Sequence, residues 1–458
     1  VMNYVRNGFD FFEPMVFNLQ SEGGKAAAEF PLLYYLTALL YALFGEPEFI
    51  LRGISLLITT LGVLALFRML YRILKDVVFA LLFSFLFISS GVFLYYGNNF
   101  LPDAAALGLT LIGWNYFYKY LMERDKRSSR LPAFIFFSLG SLLKVTYFVN
   151  PMAAILSLIA YDVSTGRRPG RVFKKELPLL IYFFAGFLLV LSWNIFAIRY
   201  NQAHHDHYFL TEARPIWSLS AEGIRQVWDY MHGYWANSYY YPTSFHFLLV
   251  LFLAGWLFLK KSGRALALTA LFLGLGALVY FVVFYSQFRD HDYYFLAFLP
   301  AIIFISIHSF IALRNRFPKW INNWMVRLVV MVICVLSLNY GGKKLDERYR
   351  NSRDVISEPA FVLENSKAWL DHLGIPRDAK FIIYTDLSPN GALYFIQRPG
   401  WNIRNNSEAE ISKIDQYISA GAEYLLDTGI HPIEKDERME FLSENGQVKI
   451  YRIKRAMQ

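Results

Sequence analysis

The feature that most limits the fold is a series of long apolar segments separated by short charged loops. Apolar runs fall at about 51–72, 77–97, 103–121, 131–148, 150–162, 176–198, 244–260, 265–285, 294–313 and 325–340, with a shorter one at 31–44. Most approach the roughly 20 residues that an α-helix needs to cross the hydrocarbon of a bilayer. No soluble core absorbs this much apolar side chain, since 55% of the 458 residues are hydrophobic and 18% are aromatic. The chain is therefore predicted to be an α-helical polytopic membrane protein. The pair 131–162 differs from the other segments. Each half is short, and Lys144, Asn150 and Pro151 interrupt it. This predicts a kinked hairpin of two short helices.

Loop charges orient the spans. Basic residues gather at Arg68, Arg72 and Lys75, then at Arg124, Lys126, Arg127 and Arg130, then at Arg167, Arg168, Arg171, Lys174 and Lys175. Two more clusters follow, at Lys260, Lys261 and Arg264, and at Arg314, Arg316, Lys319 and Arg327. All five lie on one side if 131–162 crosses and returns. The positive-inside rule puts that side in the cytoplasm and puts 1–50, 98–103, 199–243, 286–293 and the stretch after 341 outside. The net charge of +9 then reports topology, and no nucleic-acid partner is expected. The lone Cys334 sits in an apolar run and cannot form an intrachain disulfide.

After residue 341 the apolar runs shorten to strand length. KFIIYTD (380–386), AEYLLDTG (422–429) and QVKIYRI (447–453) read as strands. SEPAFVLENSKAWLDHLG, LSPNGALYFIQ and HPIEKDERMEFLSENG read as helices. The division expected is a spanning domain over 1–340 and a small extracytoplasmic α/β domain over 341–458.

The polar residues that topology does not explain lie at the outer face. Asp103, in NNFLPDAAALGL, is a carboxylate between two apolar spans, costly there unless it meets water, a partner or a substrate. It also suits a helix N-cap. Lys144, in GSLLKVTYFVN, either snorkels to the outer interface or meets an anionic lipid headgroup. Arg289 and His291 precede Tyr293 and Tyr294 in FRDHDYYFLAFLP. Arginine suits bidentate phosphate contact, and tyrosines at this level also serve as interface anchors. His204, His205 and His207 lie in a long outer loop. They are metal-ligand types, but their adjacency is unlike zinc-site spacing, so an acceptor-side loop is the preferred reading and no metal site is assigned.

These motifs occur in an order that resembles a known family. NGFDFFEPMVFN, GGKAAAEFPLLYYLTALLYALFG, RGISLLITTLG, NNFLPDAAALGL, LLKVTYFVNP and RDHDYYFLAFLP together resemble GT-C class glycosyltransferases. The resemblance is greatest to the bacterial branch related to protein O-mannosyltransferases and aminoarabinose transferase (glycosyltransferase family 39-like), and it covers about 1–340. It implies a GT-C fold and transfer of a sugar from a polyprenyl-phosphate donor to a lipid, glycan or protein acceptor at the outer face of the inner membrane. It implies catalytic roles for Asp103 and Glu29, and donor-phosphate contacts from Lys144, Arg289, Lys25, His291 and Tyr293. The family's first-loop acid would fall before Val1, and its Lys-Pro pair is Phe30-Pro31 here. The chain is thus expected to lack an upstream helix, and Lys25 is the nearest substitute for the replaced lysine. No cofactor is assigned, and a divalent metal is left open. A transporter or flippase of lipid-linked saccharides shares the hydropathy, but it predicts inverted repeats of broken helices, and only one broken pair is seen.

Overall fold

The computed structural model describes residues 1–123, 127–206, 209, 213–258, 263–351, 358–431, 433 and 436–454. His207 lies outside the described residues, as do Arg124, Lys126, Lys260 and Lys261 of the basic loops. The chain forms two compact units. One comprises Glu29–Asn194 and Glu212–Arg348; the other comprises Val1–Ala28, Ile195–Thr211 and Tyr349–Gln458.

The first unit is helical. Its apolar runs become the helices Leu32–Phe44, Phe49–Leu74, Val77–Ile88, Gly91–Tyr96, Asp103–Met122, Arg130–Leu143, Val149–Ser164, Pro242–Trp256, Arg264–Val283 and Leu299–Arg316. The long helices Pro169–Ala203 and Trp324–Asn351 begin in this unit and run on into the second. Among the described residues, six helices are long and apolar enough to cross a membrane. The protein is therefore a multi-pass membrane protein. The run at 77–97 is not one helix. Ser90 has extended backbone, and its side chain accepts from Phe93 N, which caps a new short helix. The hairpin over 131–162 breaks at Lys144, whose backbone is extended (φ −152°, ψ 113°). Pro151 falls in the first turn of Val149–Ser164, where its missing N–H costs nothing.

The helix Asp103–Met122 lies at the centre of this unit, with 15 of its 20 residues buried. It crosses Phe49–Leu74 at two glycines. A Cβ on Gly62 would meet Gly108 Cα at 2.4 Å, so only glycine permits this approach. By contrast, Pro169–Ala203 leaves Ile181, Phe184, Leu188 and Leu189 exposed, as a lipid-facing helix does. Asp103 itself is not an N-cap. Pro102 holds that position, and no side chain caps the helix.

The second unit is built on a five-stranded sheet of order β2-β1-β3-β5-β4. β1 (Phe381–Tyr384) pairs in parallel with β2 (Gly400–Ile403) and β3 (Tyr424–Asp427). β5 (Val448–Ile453) is antiparallel to β3 and to β4 (Met439–Asn445). Every residue of β1 is buried, as expected of a parallel strand covered on both faces. Ile382, Ile403, Leu425 and Ile453 form the core with Trp401 and Tyr417, whose rings stack at 5.2 Å.

Two expectations are corrected here. The stretch read as the helix HPIEKDERMEFLSENG contains β4. Asn445 and Val448 are paired, leaving Gly446 (φ +61°) and Gln447 as a two-residue hairpin turn with glycine at its first position. The sheet unit also draws on distant chain. Gly400 N donates to Phe17 O at 3.0 Å and Leu19 N donates to Gly400 O at 2.7 Å, so the N-terminal segment pairs along β2. Asn201 fixes Ala27 through both its amide groups, at 2.7 and 2.8 Å.

Candidate active site around Lys144

The site is assembled where the hairpin breaks. Lys144 N still donates to Gly140 O at 3.0 Å, and Tyr147 N donates to Lys144 O at 3.0 Å, so the break is itself hydrogen-bonded. Phe30 N donates to Leu142 O at 3.4 Å, which lays the segment holding Glu29 beside the break. Lys144 Nζ then donates to Glu29 Oε1 at 2.9 Å and lies 3.7 Å from Asp103 Oδ2. Its side chain is 12% exposed, that of Asp103 4% and that of Glu29 26%, so the triad is buried at Asp103 and opens toward solvent at Glu29. Tyr147 OH donates to the Asp103 carbonyl at 3.1 Å and fixes the start of that helix. The rings of Tyr293 and Tyr294 lie over the cation, each with its centre 5.4 Å from Lys144 Nζ.

Two carboxylates face one ammonium, so the triad holds more acidic groups than basic ones. Asp103 Oδ2 is buried and has no hydrogen-bond partner. Burial pushes the pKa of Glu29 upward, but the Lys144 charge and hydrogen bond pull it further down, below the usual carboxylate range. His291 adds no compensating charge. Burial, the largest cause, and Lys144 hold its pKa below the usual value against Asp290 and Asp292. Its ring lies against Tyr294 at 5.7 Å and Tyr293 at 5.2 Å.

Asp103, Glu29, Lys144, Tyr293 and His291 therefore come together, and Tyr294 joins them. Arg289 does not reach the triad. Its side chain is 56% exposed and lies 3.8 Å from Asp290. Lys25 belongs to the sheet-bearing unit, where it pairs with Glu13 at 3.0 Å. His204 and His205 belong to that unit too. His204 Nδ1 donates to Tyr200 O at 2.8 Å, and His205 lines a cleft of about 390 Å³ with Glu22, Lys380 and Trp401. Among the described residues no three His, Cys, Asp or Glu side chains converge as metal ligands.

Sequence reasoning missed a second polar centre beside the first. Asp292 is 3% exposed, accepts from Tyr96 OH at 2.9 Å, and forms an ion pair with Arg348. The Arg348 guanidinium lies over the rings of Tyr95 (4.8 Å) and Tyr96 (5.6 Å). Asp292 was visible inside RDHDYY. Arg348 was hidden in KKLDERYR, which reads as a solvated charge run.

Residues 27–195 match the family model for dolichyl-phosphate-mannose-protein mannosyltransferase. No curated protein sequence matches. The solved structure of ArnT from Cupriavidus metallidurans bound to undecaprenyl phosphate has a TM-score of 0.60 at 12% identity, covering 98% of this chain and 91% of ArnT. The Archaeoglobus fulgidus oligosaccharyltransferase in complex with Zn and sulfate has a TM-score of 0.54 at 14% identity, covering 93% of this chain and 62% of that one. From the same archaeon, AglB in complex with an inhibitory peptide and a dolichol-phosphate has a TM-score of 0.51 at 12% identity, covering 93% and 64%. Residues 27–195 are thus similar to that mannosyltransferase family, and the chain shares the fold of these GT-C class glycosyltransferases.

Proposed function

We propose that this glycosyltransferase moves a sugar from a polyprenyl-phosphate carrier to an acceptor at the outer face of the inner membrane, with inversion at the anomeric carbon. The single observation that carries the reading is the ion triad of Lys144 between Glu29 and Asp103, roofed by Tyr293 and Tyr294. The undecaprenyl phosphate and dolichol-phosphate bound by the structural neighbours support the donor class.

The chemistry follows from charge. A lipid phosphate is already a good leaving group and needs a cation to stabilise its developing charge rather than a strong acid. Lys144 is that cation. Its charge is shared between two carboxylates, so phosphate binding draws it from Glu29. The carboxylate of Asp103, with one oxygen lacking a hydrogen-bond partner, orients the acceptor hydroxyl and accepts its proton. The acceptor oxygen bonds to the anomeric carbon, the bond from that carbon to the phosphate oxygen breaks, and the lipid phosphate departs paired with Lys144. Arg289, half-exposed near the same segment, meets the phosphate as it arrives. His204 and His205 are acceptor-side residues, and Lys25 is paired to Glu13. The site takes a hydroxyl of a lipid, glycan or protein acceptor.

The test is transfer of label. The protein in lipid vesicles, given radiolabelled polyprenyl-phosphate sugar and cell-envelope acceptor, yields a labelled acceptor. Movement of labelled donor across the bilayer with no labelled acceptor would instead establish a transporter.

A further inference from the structure

We propose that Asp292 and Arg348 form a positioning pair that holds the two-tyrosine roof over Lys144 and thereby sets affinity for the donor phosphate. The proposal rests on the donor-site reading above.

Tyr293 and Tyr294 are not held by Lys144 alone. They open the 3-10 helix Asp292–Phe298, which begins at Asp292. Whatever fixes Asp292 fixes the direction in which the next two rings leave the backbone. Three contacts do this. Tyr96 OH donates to Asp292 Oδ1 at 2.9 Å. Arg348 pairs with the other carboxylate oxygen. The Tyr96 ring, held from its hydroxyl, meets Tyr293 edge-on at 5.4 Å. Tyr280 OH donates to Tyr294 O at 3.0 Å and holds the far side of the roof. Asp292 and Arg348 touch neither Glu29 nor Asp103, so their influence runs through the tyrosines.

The arrangement costs too much to be incidental. An almost fully buried carboxylate is tolerated only when paired and hydrogen-bonded, and removing its cation leaves an uncompensated charge. Without Arg348, Asp292 is left with the Tyr96 hydroxyl and turns toward water, which loosens the Tyr96 bond and the start of the 3-10 helix. The roof then loses register over the cation, while Asp103 and Lys144 keep their own contacts. The signature is weaker donor binding with the chemical step largely intact.

The experiment uses the full chain in nanodiscs and two readouts: binding of undecaprenyl phosphate alone, and steady-state transfer. Arg348→Ala and Asp292→Asn should weaken undecaprenyl phosphate binding and raise the donor KM by about tenfold, the scale of lost outer-shell support, with kcat changed less than about threefold. Arg348→Lys, which keeps the charge but not the fork, should recover part of the affinity. Arg327→Ala is the control for stability. It breaks an ion pair with Asp76 at 2.7 Å, and Arg327 precedes Arg348 by about six helical turns. Its melting temperature should fall as far as that of Arg348→Ala, while its KM stays at the wild-type value. If wild-type protein binds undecaprenyl phosphate and Arg348→Ala binds it equally well, or if Arg327→Ala raises KM as much, the positioning role is wrong. If wild-type protein does not bind undecaprenyl phosphate, the donor-site reading itself fails.

Discussion

Two buried aspartates show how differently the two units use the same side chain. In the sheet-bearing unit, Asp386 accepts from Ser388 N at 2.8 Å, Ser388 Oγ at 2.7 Å, Ala392 N at 3.3 Å and Asn402 Nδ2 at 2.9 Å. In the helical unit, Asp103 is as deeply buried, yet Oδ2 has no hydrogen-bond partner and the Lys144 ammonium is 3.7 Å away. Burial raises the Asp386 pKa, and the hydrogen bonds pull it back. The cations repeat the contrast. Arg398 is fully buried and donates to the carbonyls of Pro376, Ile396 and Ile375 and to Asp371. Lys144 meets two carboxylates and two ring faces. Saturated groups hold loops in place. Groups left with unused bonding capacity are the ones a substrate can recruit.

The contrast predicts opposite phenotypes. The largest effect is expected at Asp103. Asp103→Asn keeps shape but removes the proton acceptor, so the transfer rate should fall by about 10²–10⁴-fold with the melting temperature nearly unchanged. A rate within threefold of wild type would remove Asp103 from the chemistry. The cations come next. Arg398→Met leaves three carbonyls without this donor and Asp371 with Arg377, and should cost about 3 kcal/mol of stability, read from denaturant unfolding of the sheet-bearing unit. Lys144→Met should weaken undecaprenyl phosphate binding by tenfold or more, the worth of about one charge-assisted hydrogen bond, with a smaller loss of stability because one carboxylate can take up a proton. Asp386→Asn turns an acceptor toward Ala392 N–H and the Asn402 amide into a donor. It should cost about 1–3 kcal/mol of stability while leaving transfer intact in the protein that stays folded.

The helices were readable from the sequence because a spanning segment is a local property, and length and apolarity suffice to find it. The break at Lys144 was readable for the same reason, as a charge inside an apolar run. The Lys144–Glu29 pair was not, because its partners are 115 residues apart and no periodicity links them. Nor was the recruitment of residues 1–28 and 195–211 into the sheet-bearing unit, which depends on single contacts such as Asn201 to Ala27. β4 was misread because its approach, EKDER, carries the mixed charge of an exposed helix, while Gly446 as the first residue of a two-residue turn went unweighed. Asp103 stood out because membrane energetics makes a lone acid costly. Asp386 lies where such an acid is ordinary, and only its hydrogen bonds reveal its task.

The smallest effect expected is also the one that most sharpens the comparison. Glu29 is neither saturated like Asp386 nor without a hydrogen-bond partner like Asp103 Oδ2, for it is held by one strong bond to Lys144. Glu29→Gln keeps an acceptor for that bond and takes one negative charge from the triad. Undecaprenyl phosphate should then bind several-fold tighter at neutral pH, on the order of 1 kcal/mol. The pH dependence of stability has a definite sign. Despite burial, Lys144 holds the folded-state pKa of Glu29 below its ordinary value near 4.5. The unfolded chain therefore binds the proton first as pH falls. The Glu29 contribution is fully present above that value and is lost as pH drops through the lower, folded-state pKa. Wild-type melting temperature should thus fall more steeply below about pH 4.5 than that of Glu29→Gln, and parallel acid limbs for the two proteins would mean that Lys144 does not stabilise the charged form of Glu29.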